Sequence, residues 1–194
     1  MITYLNGTIT FQCPTYVIIE CGGIGYQVNI SLNTYSAVQG QEQYKLFTYF
    51  DVKEDSQTLY GFATQEEKDL FTDLISVSGI GPSMGRMTLS SHSPQEIKQA
   101  IIQDNVSLIK GIKGIGPKSA KRIILELKDK LKQDEEAEEF AAPVDNTWQE
   151  EALQALMTLG FNKNDVDKVV RELLASDSNI GSIEDLIKKS LKKL

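Results

Sequence analysis

The residues best placed to do chemistry in this chain sit in a turn that occurs twice. Gly79-Ile80-Gly81-Pro82 recurs as Gly114-Ile115-Gly116-Pro117, 35 residues further on. Each copy follows a short apolar run of helical period and opens another. Glycine adopts turn angles that other residues resist, and it lets a ligand come close to the main chain. The first amides of the helix that follows have no acceptor within it, and the helix dipole adds partial positive charge there. Free amides and dipole together form an anion site, and a nucleic-acid phosphate is a fitting occupant. Two such sites in tandem predict a grip on the sugar-phosphate backbone that ignores base sequence. In the second copy Lys118, Lys121 and Arg122 can add charge. In the first only Ser83 and Arg86 can help, and Ser83 offers a hydrogen bond without charge. The expected backbone-binding set is therefore Gly79, Gly81, Ser83, Arg86, Gly114, Gly116, Lys118, Lys121 and Arg122. The competing reading is structural: tight turns between packed helices, with Ile80 and Ile115 plugging the core.

A second group of polar residues is Val52-Lys53-Glu54-Asp55, between two aromatic-rich runs. Adjacent carboxylates there fall at the tip of a hairpin. A solvated acidic turn is one reading, and a metal-bound catalytic pair is the other. No third carboxylate or histidine lies nearby in an arrangement typical of metal sites, which argues against the second. His92 is the sole histidine and reads as a loop residue before a helix cap. Cys13 and Cys21 do not match a metal-ligand pattern and read as buried free thiols of a reducing compartment. No Gly-x-x-x-x-Gly-Lys-[Ser/Thr] nucleotide loop occurs. No catalytic residue, metal or cofactor is expected.

The formal net charge of −7 argues at first against nucleic acid, but its distribution reverses that impression. Residues 64–132 carry 11 basic and 8 acidic side chains, so the segment with the glycine turns is the one basic part of the chain. Residues 133–146 carry 6 acidic side chains and no basic ones. No apolar stretch approaches the roughly 20 residues that span a bilayer, and the N-terminus has neither the charge nor the apolar core of a secretory signal.

The elements that must hold these residues follow from periodicity. Residues 1–63 read as five short strands: Thr3–Phe11, Tyr16–Glu20, Gly25–Ser31, Tyr44–Val52 and Thr58–Phe62. That number and spacing suit a small barrel of the OB-fold type. Tyr44, Phe47, Tyr49, Phe50 and Tyr60 could stack on bases, but packing accounts for most of them. Residues 64–132 read as helices around the two turns, with capping boxes at Thr64–Glu67 and Ser93–Glu96. Leu70, Phe71, Leu74 and Ile75 form one buried face, and Ala120, Ile123, Ile124, Leu127 and Leu131 another. Residues 133–146 read as a mobile acidic linker. Residues 147–194 read as three helices: one capped at Thr147, with stripe Leu153, Leu156 and Met157, ending at Gly160; one through Val166, Val169, Val170, Leu173 and Leu174; one capped by Ser182. The fold class is thus multidomain, β followed by all-α: an N-terminal barrel, a tandem helix-hairpin-helix region and a C-terminal bundle. The last has no basic stripe, so a protein partner suits it better than DNA.

Taken in order, these pieces resemble the RuvA family of bacterial Holliday-junction recognition subunits over essentially the whole chain. Val52-Lys53-Glu54-Asp55 followed by Leu59-Tyr60-Gly61-Phe62, the paired Gly-Ile-Gly-Pro turns, and Lys118 through Lys130 carry the resemblance. It implies an OB-like domain, a tandem helix-hairpin-helix domain and a third domain of ubiquitin-associated (UBA-like) fold. It implies a homotetramer, sometimes an octamer of two tetramers, on four-way junction DNA, since a cyclic tetramer offers each arm the same surface. Glu54 and Asp55 match the family's acidic pin, which repels phosphates at the crossover and favours an open junction. The third domain is implied to dock the hexameric ATPase RuvB, which would hydrolyse ATP while this chain stays non-catalytic. RuvC resolvase is implied in the wider complex. The setting implied is the bacterial cytoplasm, in recombination, DNA repair and the SOS response. One departure stands at Ser83, where family members often carry a basic residue; the first hairpin would lean more on backbone amides and Arg86.

Overall fold

A computed structural model describes residues 1–140, 147–176 and 182–193. The chain divides into two compact units, Met1–Glu136 and Ala137–Leu194.

The first unit begins with strands β1 (Tyr4–Cys13), β2 (Tyr16–Cys21), β3 (Ile24–Ile30), β4 (Gln43–Val52) and β5 (Gln57–Phe62), with helix α1 (Leu32–Val38) between β3 and β4. The strands close into a barrel in the order β1-β2-β3-β5-β4. All pairs are antiparallel except β3 with β5, where Val28 faces Leu59 and Ile30 faces Gly61. Alternate residues point inward, as a closed sheet requires. Leu5, Val17, Ile19, Val28, Ile30, Val38, Leu46 and Leu59 fill the interior. The five expected strands are present, each within a few residues of its expected bounds.

Helices α2 (Gln65–Ser76), α3 (Pro82–Ser91), α4 (Pro94–Ile102), α5 (Val106–Gly111) and α6 (Pro117–Phe140) follow. Leu70, Phe71, Leu74, Leu89, Ile97, Ile101, Ile109, Ile123, Ile124, Leu127 and Leu131 form their core. This core also takes in Tyr60 and Phe62 of β5, so barrel and helices share an apolar seam. Phe71 is fully buried there, with Phe62, Tyr60 and Tyr49 ring centroids 4.8–5.4 Å away. Of the five aromatics considered for base stacking, Tyr49 and Tyr60 belong to this seam, and Tyr44 and Phe50 pack on the barrel core. Phe47 lies half-buried beneath the Lys45 ammonium.

Helix α1 was not anticipated, and it ties the barrel to the helical region. Glu67 is buried and accepts hydrogen bonds from Ser31 Oγ and Thr34 Oγ1, the second at 2.6 Å. The Asn33 amide donates to the carbonyls of Leu89 and His92 at the end of α3. The expected capping box at Thr64 is accordingly half formed. Thr64 accepts from the Glu67 N–H, but the Glu67 carboxylate turns inward to α1. The Ser93–Glu96 box is complete.

Two further expectations are corrected. Helix α6 continues to Phe140, so the first eight residues assigned to an acidic linker are helical; residues 141–146 lie outside the described residues. Cys13 and Cys21 are free but half-buried rather than buried. Thr15 Oγ1 beside the Cys13 thiol holds its pKa below the ordinary value.

The second unit has α7 (Thr147–Thr158), α8 (Lys163–Ser176) and α9 (Ile183–Leu191). Its core is Ala152, Leu156, Val166, Val170, Leu173 and Leu186. Gly160 has φ 98°, its N–H bonds the Met157 carbonyl, and the Phe161 N–H bonds the Leu156 carbonyl. That is the paired bonding of a Schellman terminus, so α7 ends where the glycine indicates. Ser182 caps α9 as expected. Met157, assigned to the stripe of the first of these helices, is instead exposed, as is Leu174 on α8. The side chain of Thr147, the expected cap of α7, lies outside the described residues.

Candidate nucleic-acid interface

Both glycine turns are built the same way. Helix α2 stops at Val77, whose φ and ψ are −71° and 124°; α5 stops at Ile112, at −71° and 126°. Both residues are buried and pin the turn to the core. Two positions later Gly79 and Gly114 take φ of 90° and 93°. This is the positive φ that the third position of a type II turn demands, and a side chain there would be strained. The turns close through Ile80 N–H to the Val77 carbonyl and Ile115 N–H to the Ile112 carbonyl, each at 3.0 Å. Ile80 and Ile115 are buried, so the structural role weighed for them is real. Burial of each contributes about 2 kcal/mol.

With the isoleucines inward, the flanking main chain faces out. Gly81 caps α3 with no side-chain bond, and its carbonyl receives the Met84 and Gly85 N–H groups. The Gly116 carbonyl receives the Ala120 N–H. Among the described residues, no acceptor takes the N–H of Gly79, Gly81 or Ser83, nor of Gly114, Gly116 or Lys118. Pro82 and Pro117 open the helices at a position where a missing N–H costs nothing. Each hairpin thus presents a small group of unpaired amides at a helix start, as an anion site needs.

The side chains around the two sites differ. Lys118 and Lys121 are exposed and have no ion pair among the described residues. Arg122 donates from Nη1 to the Ser78 carbonyl at 3.0 Å, and its Nε lies 3.8 Å from Glu126 Oε1. Arg86 donates to the Thr15 carbonyl at 2.8 Å, in the turn between β1 and β2. Ser83 is exposed. The positive charge available to hold an anion is therefore greater at the second hairpin. Sequence reasoning missed the engagement of Arg86 and Arg122 with protein carbonyls, because both acceptors are distant main-chain atoms.

The acidic turn is the β4–β5 connection, closed by Lys53 N–H to the Ser56 carbonyl at 2.8 Å. Lys53 pairs with Asp51 at 3.2 Å, while Glu54 and Asp55 are exposed and have no ion pair among the described residues. Two uncompensated carboxylates thus stand at the hairpin tip. Among the described residues no three His, Cys, Asp or Glu side chains gather in a way that could hold a metal ion. No helix among them is long and apolar enough to cross a membrane.

A closed five-stranded barrel, continued by two helix-hairpin-helix turns that expose main-chain amides, defines a protein of the OB-barrel and helix-hairpin-helix class. Three family descriptions match in order: RuvA N terminal domain over residues 1–61, SAM-like helix-hairpin-helix tandem over 71–129, and RuvA C-terminal domain over 147–194. Similar proteins include one from Christiangramia forsetii, 47% identical with both chains fully covered. Another, from Cytophaga hutchinsonii, is 43% identical over 99% of both chains, and one from Flavobacterium psychrophilum is 43% identical over the full length of both. Each bears the name Holliday junction branch migration complex subunit RuvA. The chain belongs to the RuvA family.

Proposed function

We propose that this chain is the four-way-junction-binding subunit of a branch-migration complex, holding the junction open while a partner ATPase of the RuvB kind draws the arms through. The observation that carries this reading is the pair of outward-facing amide groups at Gly79–Ser83 and Gly114–Lys118, in a chain whose full-length relatives are named as such subunits. In this reading the unpaired amides of Gly79, Gly81, Gly114 and Gly116 bond phosphate oxygens. Ser83 adds a hydroxyl, and Lys118 and Lys121 add charge. Arg86 and Arg122 reach phosphate only in addition to the carbonyls they already hold. Glu54 and Asp55, unpaired at their hairpin tip, keep phosphates from closing on the crossover.

The chain is read as non-catalytic. Gly111 and Gly116 have the spacing of a nucleotide loop, but Pro117 stands where the lysine should follow. ATP hydrolysis is assigned to the partner. Residues 147–194 form the docking unit for it, where exposed Met157, Leu159 and Leu191 supply apolar contact. A homotetramer, or two on one junction, and a cytoplasmic setting complete the proposal. Residues 1–63 act as barrel and pin, 64–132 as the DNA-binding part, and the acidic stretch beyond as the tether.

Competition between a four-way junction and linear duplex at matched salt tests the proposal, because non-specific backbone affinity depends steeply on salt. Clear preference for the junction is expected; equal affinity would overturn it.

A further inference from the structure

The two hairpins are not independent. With the 35-residue offset, Ser83 corresponds to Lys118, Arg86 to Lys121, Met87 to Arg122 and Ser78 to Lys113. The first hairpin therefore lacks the lysine that the second carries beside its amides. Besides the shared core and the Lys130–Asp73 ion pair of α6 with α2, two contacts cross between the repeats at the turns themselves. Arg122, on α6 of the second repeat, donates to the Ser78 carbonyl in the turn of the first. The Met84 side chain, on α3 of the first repeat, lies against Gly114 of the second: a Cβ at Gly114 would come within 2.6 Å of Met84 Cε. Neither contact is reciprocated. Met87 has no donor to offer Lys113, and nothing lies within 4 Å of a Cβ at Gly79.

The Ser78 carbonyl belongs to the same peptide unit as the Gly79 N–H. A trans peptide is planar, with its C=O and N–H antiparallel. Holding the carbonyl from one side therefore aims the N–H to the other. That unit is also the central peptide of the Val77–Ile80 turn, the one whose flip interconverts type I and type II turns. A guanidinium on the carbonyl opposes the flip and polarises the N–H, since linked hydrogen bonds strengthen one another.

We infer that Arg122 is a positioning residue: by holding the Ser78 carbonyl it fixes the Gly79 N–H toward the first anion site, and it joins the two hairpins into a single two-phosphate site of set spacing. The second hairpin thereby lends to the first the cation that Ser83 fails to supply. The phosphate half of this inference rests on the proposed function; the positioning half does not.

The test uses the full-length protein and compares Arg122→Met with Lys121→Met. Arg122→Met keeps the stem and installs the residue that the first repeat already has at the equivalent place, Met87. The Gly79 and Gly114 N–H resonances are followed without DNA; junction affinity and its salt slope are followed with it. Arg122→Met is expected to shift the Gly79 N–H resonance, as its peptide loses the polarising donor on the Ser78 carbonyl, and to leave Gly114 unchanged. Lys121→Met is expected to move neither, while lowering the salt slope by about 0.9 if that lysine meets a phosphate. Arg122→Leu supplies the same comparison should Arg122→Met fail to fold, and Arg122→Lys, which keeps a donor, should return the Gly79 resonance part of the way. Gly79 unmoved in the donor-lacking variants, with only the salt slope changed, would overturn the inference and leave Arg122 as an ordinary phosphate ligand. Absence of junction preference in the unmutated protein would instead sink the proposed function, with the DNA-free comparison still deciding the role of Arg122.

Discussion

Replacing Gly81 and Gly116 together by alanine separates binding through main-chain amides from the needs of the fold. Gly81 has φ −92° and ψ 170°, which any residue adopts, and Gly116 is likewise outside the left-handed region. Nothing lies within 4 Å of a Cβ built at either position. Alanine is a poorer helix cap than glycine by several tenths of a kcal/mol or more. It also restricts the unfolded chain, which stabilises by about 0.4–1 kcal/mol. The two effects offset, so each substitution should change stability by no more than about 0.5 kcal/mol. The new methyl groups stand where a phosphate must approach. A hydrogen bond to a charged group is worth about 1.5–3 kcal/mol, so impairing one per hairpin should weaken junction binding about tenfold each and about a hundredfold together. Peptide amides carry no net charge, so the salt slope should stay as it was. Thermal denaturation reads the stability arm, and junction titrations at several salt concentrations read the binding arm. An intact fold with undiminished affinity would refute the amide-phosphate reasoning. Gly79→Ala and Gly114→Ala would not serve, because their φ of 90° and 93° strain the fold as well.

Other outcomes follow from the same structure. Glu54→Gln with Asp55→Gln should raise affinity for linear duplex about threefold relative to the junction, as expected for removing screened like charges; an unchanged ratio in competition gels would count against the acidic-tip assignment. Glu67→Ala leaves Ser31 and Thr34 without their buried acceptor and should destabilise the first unit by about 3 kcal/mol in urea unfolding; a loss under about 0.5 kcal/mol would contradict that role. The Ser93 N–H and hydroxyl hold the Glu96 carboxyl below its usual 4.5. A lowered folded pKa gives stability that is present above the unfolded value and is lost as pH falls through the folded one. The stability gap between wild type and Glu96→Gln should therefore shrink on acidification below about pH 4.5, and a constant gap down to pH 3 would contradict it. Deleting residues 147–194 should leave junction binding within about twofold yet abolish stimulation of the motor ATPase; a truncated protein that still supports branch migration would be the contrary result.

Periodicity made much of this fold legible. The strand pattern in residues 1–63 matches β1 to β5 because a closed barrel forces inward and outward alternation that the sequence displays directly. The glycine turns were legible because positive φ restricts the residue choice at Gly79 and Gly114. Helix α1 was not, since Leu-Asn-Thr-Tyr-Ser-Ala-Val is short and poor in strong helix formers. It exists because Ser31 caps it and because Ser31, Asn33 and Thr34 are held by groups from α2 and α3. The extension of α6 to Phe140 was hidden by acidic composition, which resembles a linker although glutamate propagates a helix well. The site residues were named from type and spacing alone. What spacing could not give was orientation: Arg86 and Arg122 bond the carbonyls of Thr15 and Ser78, 71 and 44 residues away.

The measurement that bears most directly on the proposed mode of binding is the response of individual amides as junction DNA is added to the full-length protein. The Gly79, Gly81, Gly114 and Gly116 N–H resonances should move together and saturate with the junction, as new hydrogen bonds to phosphate form. If those four stay in place while amides elsewhere on the barrel or helices respond, DNA is held by another surface and the two hairpins are only turns.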